Sequence, residues 1–143
     1  MGNLTGDLYV DGVWFQGHGD EFDSLQPVTG EVVWSGTSAS FEDIDAAVRE
    51  ARDTFVQWRK KSFKERQAII EGFGKQLEAH KEELAHQIGL ETGKPLWESR
   101  TEVGAMIGKI GISVSAYHDR TGHSESDVAA GHAVLRHRPH GVV

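Results

Sequence analysis

The stretch Glu91-Thr92-Gly93-Lys94-Pro95 ("ETGKP") punctuates the helical part of this chain. Gly93 suits the left-handed backbone conformation that follows a helix C-terminus, and Pro95 cannot continue the helix before it. One short helix, with Leu84 and Ile88 on its apolar side, is therefore predicted to end here. A second helix is predicted to run from about Trp97 to Tyr117.

The helix predicted after this turn has two different faces. Its apolar residues share one face, and its smallest residues recur at spacings of four, three and four on another. A stripe of small residues lets a second backbone approach closely, so the pattern predicts tight helix packing; a ligand groove is the alternative. The residues of the two faces are Val103, Met106, Ile107, Ile110, Val114 and Tyr117, and Gly104, Gly108, Gly111 and Ser115.

Two further helices are predicted before the turn, each opened by a capping box. Ser40 with Asp43 and Ser62 with Glu65 have the three-residue spacing that such a box requires. Apolar residues then follow at spacings of three and four, which predicts one core-facing stripe on each helix. The stripes are Phe41, Ile44, Val48, Ala51, Phe55 and Trp58, then Ile69, Ile70, Phe73 and Leu77.

The two ends of the chain favour extended structure. "LYVDGVWF" (Leu8 to Phe15) places Asp11-Gly12 between apolar triplets, which is typical of a hairpin with a type I′ turn. In "PVTGEVVW" (Pro27 to Trp34), a turn at Thr29-Gly30 is followed by a predicted strand. Near the other end, His132 to Arg138 is predicted to form a strand that stands away from the helices. Gly141 to Val143 is predicted to begin a buried strand.

Composition and charge exclude several classes of function. The chain has 143 residues and a formal charge of −7, which disfavours nonspecific binding to nucleic acid or to an anionic membrane. No cysteine is present, so disulfides, cysteine-based zinc sites and thiol nucleophiles are excluded within these residues. Uncharged stretches such as Ile110 to His118 are too short to span a bilayer. No secretory signal is visible, and the cytoplasm is the expected compartment.

The remaining residues form no recognisable catalytic or cofactor-binding centre. His132, His137 and His140 make a weak ligand set because no carboxylate accompanies them on a rigid element, so a metal-dependent hydrolase is the least favoured function. The basic run that includes Arg59, Lys61 and Arg66 is interpreted as a solvated helix junction. Glycine-rich phosphate loops and nucleophile elbows are absent from the sequence.

In series, the quoted motifs resemble the N-terminal part of the NAD(P)-dependent aldehyde dehydrogenases. "YVDGVW", "LQPVTGEVVW", "DIDAAVREARDTFVQW", "ETGKP" and "RPHGVV" match the family in order, although Gln26 replaces the usual asparagine. The resemblance implies an α/β fold in which 1–38 are hairpin and extended segments and 40–118 are helices. It further implies an oligomerisation strand within 131–138, and 141–143 would start the first Rossmann-type strand.

A closer resemblance is to the subfamily that oxidises N-succinylglutamate 5-semialdehyde in bacterial arginine catabolism, carried by "TEVGAMIGKIGISVSAYHDRTG" and "LRHRPHGVV". It implies an NAD-dependent homo-oligomer that acts on a small aldehyde through a cysteine thiolate, an oxyanion site and a glutamate base. All of these groups would lie beyond Val143. We therefore expect a fragment that is inactive alone and does not bind NAD; the alternative is a stand-alone helical docking module derived from the family.

The resemblance also implies three supporting roles for residues of this chain. Glu91, with the backbone near Leu25, matches a region where relatives bind a structural monovalent cation; a plain helix-end contact is the alternative. Val103 and Ile107 follow a helix that borders the substrate entrance, so they are predicted to line the channel unless they are core residues. The segment 133–138 resembles the protruding strand used for oligomer assembly.

Overall fold

The computed structural model describes residues 5–143, which form ten elements of secondary structure in three separate parts. Four short strands come first, four helices follow, and a hairpin comes last. The elements are β1 (Leu8–Val10), β2 (Val13–Phe15), β3 (Glu21–Leu25), β4 (Val32–Thr37), α1 (Phe41–Trp58), α2 (Phe63–Ala79), α3 (Lys81–Thr92), α4 (Leu96–Arg120), β5 (His123–Val128) and β6 (Gly131–Arg136).

The N-terminal strands form two antiparallel hairpins. β1 and β2 pair around Asp11 and Gly12, both at positive φ (49° and 81°), which confirms the predicted type I′ turn. The Gly30 turn (φ 74°) precedes β4 as predicted, but β4 pairs with β3, a strand that the sequence reasoning missed. The mostly exposed sequence of β3, "EFDSL", lacks the apolar alternation that marks a half-buried strand.

Both predicted capping boxes are present and fix where α1 and α2 begin. Ser40 Oγ accepts a hydrogen bond from the Asp43 amide while Asp43 Oδ2 accepts one from the Ser40 amide, at 3.2 and 2.9 Å. Ser62 and Glu65 form the same reciprocal pair. Each box satisfies helix N–H groups that have no partner within the helix.

The buried core lies where α4 packs against α3 and α2. Leu77, Ala85 and Val103 are its buried apolar side chains, and Ser99 is buried beside them. Gly74 is buried on α2, and a Cβ at this position would lie 2.7 Å from Ile110 Cδ1. The glycine therefore allows α2 and α4 to approach closely, which offsets its weak helix propensity.

Of the core-facing stripes predicted on α1 and α2, only Leu77 is buried within residues 5–143, so the prediction was wrong for the other positions. Phe41 on α1 is 88% exposed, and Phe73 on α2 is 58% exposed. The glycine stripe of α4 is also open, because a Cβ at Gly104, Gly108 or Gly111 would meet no atom within 4 Å. The helical periodicity correctly predicted where the apolar faces lie. They stay exposed on α1 because no helix packs along it in the described part of the chain.

The C-terminal strand predicted over 132–138 forms as β6. Contrary to the prediction, it has a local partner strand. It pairs in antiparallel register with β5, from His123 opposite Arg136 to Val128 opposite Gly131. Sequence reasoning missed this partner because β5, "HSESDV", is polar and lacks a strand-like apolar pattern. Both strands are exposed along their whole length. Residues 141–143 carry no regular secondary structure, so their role as the start of a strand stays a prediction.

In the described part of the chain, none of the helices combines the length and apolar character needed to cross a membrane.

Candidate functional site: the Ser24–Glu91 junction

The ETGKP turn and the β3–β4 hairpin meet at one junction, which we call the Ser24–Glu91 junction. Ser24 lies on β3 at a β-bulge, and Glu91 lies in the last turn of α3. Ser24 Oγ donates a 2.8 Å hydrogen bond to Glu91 Oε2, and Gln87 Nε2 donates one of 2.6 Å to Glu91 Oε1. Both carboxylate oxygens therefore have a donor, which ties the hairpin to the helices.

The backbone at Gly93 completes this junction. Gly93 has φ 72°, and its amide donates to the Gly89 carbonyl at 3.0 Å, which is the predicted left-handed helix end. A Cβ on Gly93 would lie 2.9 Å from Pro27 Cγ in the β3–β4 loop. The position thus requires glycine both for its backbone conformation and for the close approach of the loop.

The surroundings of Glu91 favour its charged form. Partial burial raises the pKa of Glu91, but the hydrogen bonds from Gln87 and Ser24, together with the nearby Trp34 indole N–H, outweigh this effect. The net result is a pKa below the ordinary value for glutamate. The buried Trp34 Nε1 makes no hydrogen bond of good geometry among residues 5–143, although its N–H group contributes to the lowered pKa of Glu91.

The predicted monovalent cation site at Leu25 and Glu91 stays a prediction. Glu91 is held in place and its pKa is lowered, which suits a carboxylate ligand, and Leu25 follows Ser24 directly at the bulge. The Leu25 side chain is exposed. Because the carboxylate already accepts two hydrogen bonds, the helix-end alternative explains the geometry without an ion.

The two residues predicted to line a substrate channel have different environments. Val103 has no exposed surface and belongs to the core, so it lines no open surface within this chain. Ile107 is half-buried one turn further along α4, where it lines an open groove with Ile110 and Gly74. A role for Ile107 at a substrate entrance stays a prediction.

The histidines do not assemble a metal centre in the described residues. His132 bonds the Asp127 and Glu125 carboxylates on the hairpin, whereas His137 Nδ1 lies 3.0 Å from the Gly122 carbonyl oxygen. Within residues 5–143, no three histidine, aspartate or glutamate side chains converge on a point where an ion could bind. The basic junction between α1 and α2 is largely solvated, as predicted, except that Arg66 is half-buried and donates to the Lys61 carbonyl.

Sequence reasoning missed a second polar junction, at the start of α1. The buried Asp43 carboxylate accepts hydrogen bonds from the His18 amide (3.0 Å) and from the Ser40 amide, and it lies 2.8 Å from His18 Nδ1. These bonds hold the pKa of Asp43 well below its usual range, the His18 amide contributing most. The capping box was a signal for Asp43, but no local pattern indicated His18, which lies 25 residues away.

The chain belongs to the aldehyde dehydrogenase family, whose family model matches residues 14–143. The chain is 53% identical over 136 residues to an N-succinylglutamate 5-semialdehyde dehydrogenase from Chromohalobacter salexigens. It is 52% identical over 135 residues to the protein of the same name from Hahella chejuensis. The two alignments cover 95% and 94% of this chain but only 28% of each relative, so the chain spans less than a third of their length.

Solved structures of the family share the fold. An NAD-dependent benzaldehyde dehydrogenase from Corynebacterium glutamicum superposes with a TM-score of 0.74 at 25% identity, over 83% of this chain and 26% of that protein. A betaine aldehyde dehydrogenase from Staphylococcus aureus, in complex with NAD+, gives 0.78 at 23% identity over 90% of this chain and 26% of that protein. The hairpins and helices described above are therefore the architecture of part of an aldehyde dehydrogenase.

Proposed function

We propose that this chain forms the N-terminal part of an NAD-dependent enzyme that oxidises N-succinyl-L-glutamate 5-semialdehyde to N-succinyl-L-glutamate. The observation that carries the proposal is the 53% identity to a relative of that specificity, maintained over 95% of the chain. The structural neighbours with other substrates are far less similar, at 25% identity or below.

In this proposal the chain is a scaffold, and the chemistry belongs to the rest of the enzyme. The sequence contains no cysteine to act as a thiolate nucleophile. The described residues also do not fit NAD, because their three sheets are two-stranded and antiparallel and offer no glycine-rich turn between a parallel strand and a helix. NAD would supply hydride acceptance to the complete enzyme; residues 5–143 would position neighbouring segments.

The exposed hairpin supports an additional role in assembly. Every residue of β5 and β6 is exposed, and β5 carries the ionisable side chains His123, Glu125 and Asp127 on one face. An exposed strand edge is a ready template for pairing with another chain. We therefore propose that residues 123–136 contact a second copy in a homo-oligomer. The same feature favours the second candidate function, a stand-alone module that docks through this hairpin on a complete relative.

The decisive experiment is a chimera in which residues 1–143 replace the corresponding part of the Chromohalobacter salexigens relative. We expect NAD reduction with N-succinylglutamate semialdehyde at a kcat/KM within roughly tenfold of the relative, about 1.4 kcal/mol in transition-state free energy. Betaine aldehyde and benzaldehyde should be poor substrates, and residues 1–143 alone should produce no NADH.

A second chimera provides the matched control. It carries the equivalent segment of the Staphylococcus aureus betaine aldehyde dehydrogenase, which shares the fold but only 23% of its residues with this chain. That segment should fail to restore activity because its surfaces do not match the remainder. A soluble chimera with residues 1–143 that produces no NADH from N-succinylglutamate semialdehyde would refute the proposal.

A further inference from the structure

A cleft of about 600 Å³ opens between the end of α1, the end of α4 and the segment that follows β6. Three aromatic side chains, Phe55, Trp58 and Tyr117, form part of its wall. The rest of its lining is strongly basic, and we call it the cationic cleft. Its arginines and histidines are Arg59, Arg66, Arg138, His123, His137 and His140.

The charge of this cleft contrasts with the charge of the chain. Three arginines line it, and none of its lining residues in the described chain is an aspartate or glutamate. The chain as a whole carries a formal charge of −7. Arginine stays protonated at all physiological pH values, so the three arginines give the cleft wall a positive charge that no lining carboxylate offsets. A carboxylate-bearing occupant would neutralise this charge.

The lining also indicates that the occupant is a polypeptide segment. Aromatic rings beside arginines are the composition of anchoring pockets at protein interfaces. A long nucleic acid is disfavoured because the strongly negative chain would repel it outside the cleft. The relatives are more than three times as long as this chain, so most of the enzyme's surface is available to supply such a segment.

We infer that the cationic cleft is the docking site for an acidic segment of the same polypeptide, from the part of the enzyme outside residues 1–143. This inference rests on the proposed function only in requiring that the chain belong to a longer enzyme. It requires no particular substrate. Carboxylates of the segment would pair with Arg59 and Arg138 at the rim, and an apolar side chain would contact the wall at Trp58.

A photo-crosslinking amino acid in place of Thr121, which lines the cleft, tests the inference in the full-length enzyme. The expected product is an intramolecular cross-link to a peptide outside residues 1–143 that contains aspartate or glutamate. A cross-link to a second copy, or only to residues 1–143, would overturn the inference. A cross-link to a peptide without aspartate or glutamate would also overturn it. So would loss of the cross-link when inorganic pyrophosphate is added, because that result would indicate a site for free anions.

Matched charge variants supply an independent measurement. The double variant Arg59→Gln/Arg138→Gln removes two charges from the cleft, whereas Arg52→Gln/Lys109→Gln removes two charges from α1 and α4 outside it. We expect at least a tenfold lower cross-linking yield for the first and no change for the second. Equal yields would overturn the inference. Cross-linking does not require turnover. If the proposed substrate is wrong, the activity assay will therefore fail while the cross-linking result stays the same.

Discussion

Ser24 Oγ and Glu91 Oε2 lie 2.8 Å apart although 67 residues separate them in the sequence. This hydrogen bond joins the β3–β4 hairpin to the end of α3, the same place where Pro27 packs on Gly93. The hairpin makes few other contacts with the helices. The bond therefore helps determine how the N-terminal strands are placed on the helical core.

Ser24→Ala should lower the free energy of unfolding by about 1 kcal/mol. The substitution removes a hydrogen bond to an ionised acceptor that is partly shielded from water. The free energy can be measured by urea denaturation followed by circular dichroism. Ser35→Ala is the control, since Ser35 Oγ also donates to a carboxylate, that of Asp23, but at the exposed surface. Equal losses for the two variants would contradict a special role for the junction.

Protection of the first turn of α1 should decline as the pH falls below the ordinary pKa of aspartate, about 4. The folded pKa of Asp43 is lowered, chiefly by the His18 and Ser40 amides, so its stabilising effect is present above the unfolded value. This effect is lost progressively as the pH falls towards the folded value. Amide hydrogen exchange at His18 and Ser40, followed between about pH 6 and pH 3, measures this loss.

Two substitutions separate this effect from general acid denaturation. Asp43→Asn should remove most of the additional exchange at low pH, because an amide side chain does not titrate in this range. Asp45→Asn, two residues away, should leave it unchanged, since among residues 5–143 Asp45 pairs with the exposed Arg49 side chain alone. An unaltered pH dependence in Asp43→Asn would show that another group is responsible.

Gly72→Ala should stabilise α2, whereas Gly74→Ala should not. Alanine is favoured over glycine in a helix by about 1 kcal/mol, and a Cβ at position 72 would meet nothing within 4 Å. At position 74 the new methyl group would lie 2.7 Å from Ile110 Cδ1, and moving that side chain offsets the gain. Melting temperatures of both variants measure the difference.

Shortening Ile110 should recover the gain at position 74. The double variant Gly74→Ala/Ile110→Val removes the methyl group that the alanine displaces. Once its free energy of unfolding is corrected for the destabilisation measured for Ile110→Val alone, the double variant should be more stable than Gly74→Ala. Additive effects of the two substitutions would mean that the α2–α4 contact does not limit packing at this position.

The β5–β6 hairpin should become less protected as the pH rises through the folded pKa of His132. Hydrogen bonds to Asp127 and then to Glu125 raise that pKa, so the stabilisation is complete below the ordinary value of about 6.5 and is lost above it. Titratable or charged groups on the same face of the hairpin are His123, Glu125, Asp127 and Arg136.

Amide exchange of β5 and β6 between about pH 6 and pH 8.5 measures this effect. His132→Gln should flatten the profile because the group that titrates is gone. His86→Gln, on the exposed side of α3, is the control and should leave the profile of the hairpin unchanged. A profile that keeps its slope in His132→Gln would show that a group other than His132 causes the pH dependence.

Features encoded by adjacent residues could be predicted from the sequence. Asp11-Gly12 determines the first turn, Ser40 and Ser62 start their helices, and Gly93 ends α3, because each acts through its own backbone or that of near neighbours. β3 and β5 were missed because both strands are polar and exposed, and their order depends on pairing. Helical periodicity likewise revealed apolar faces without showing what covers them.

The same limit applies to the candidate site. Resemblance to the family drew attention to Glu91, but no sequence pattern indicated its donor, Ser24, because the chain between them forms a strand and three helices. His18 was missed as the partner of Asp43 for the same reason. Contacts between distant segments depend on how elements pack, and only the structure supplied them.

Residues 1–143 alone should bind a hydrophobic dye and self-associate, whereas the chimera with the relative's remainder should do neither. Large apolar side chains are exposed along α1 and α2, among them Phe41, Ile44 and Phe73, and exposed patches of this kind mark surfaces that another segment covers. Dye fluorescence and sedimentation of both proteins at equal concentration measure the difference. Phe41→Ser/Phe73→Ser should reduce dye binding, and the exposed polar pair Glu42→Ser/Lys75→Ser should not. A chain that stays monomeric, binds no dye and melts cooperatively would instead support the stand-alone docking module.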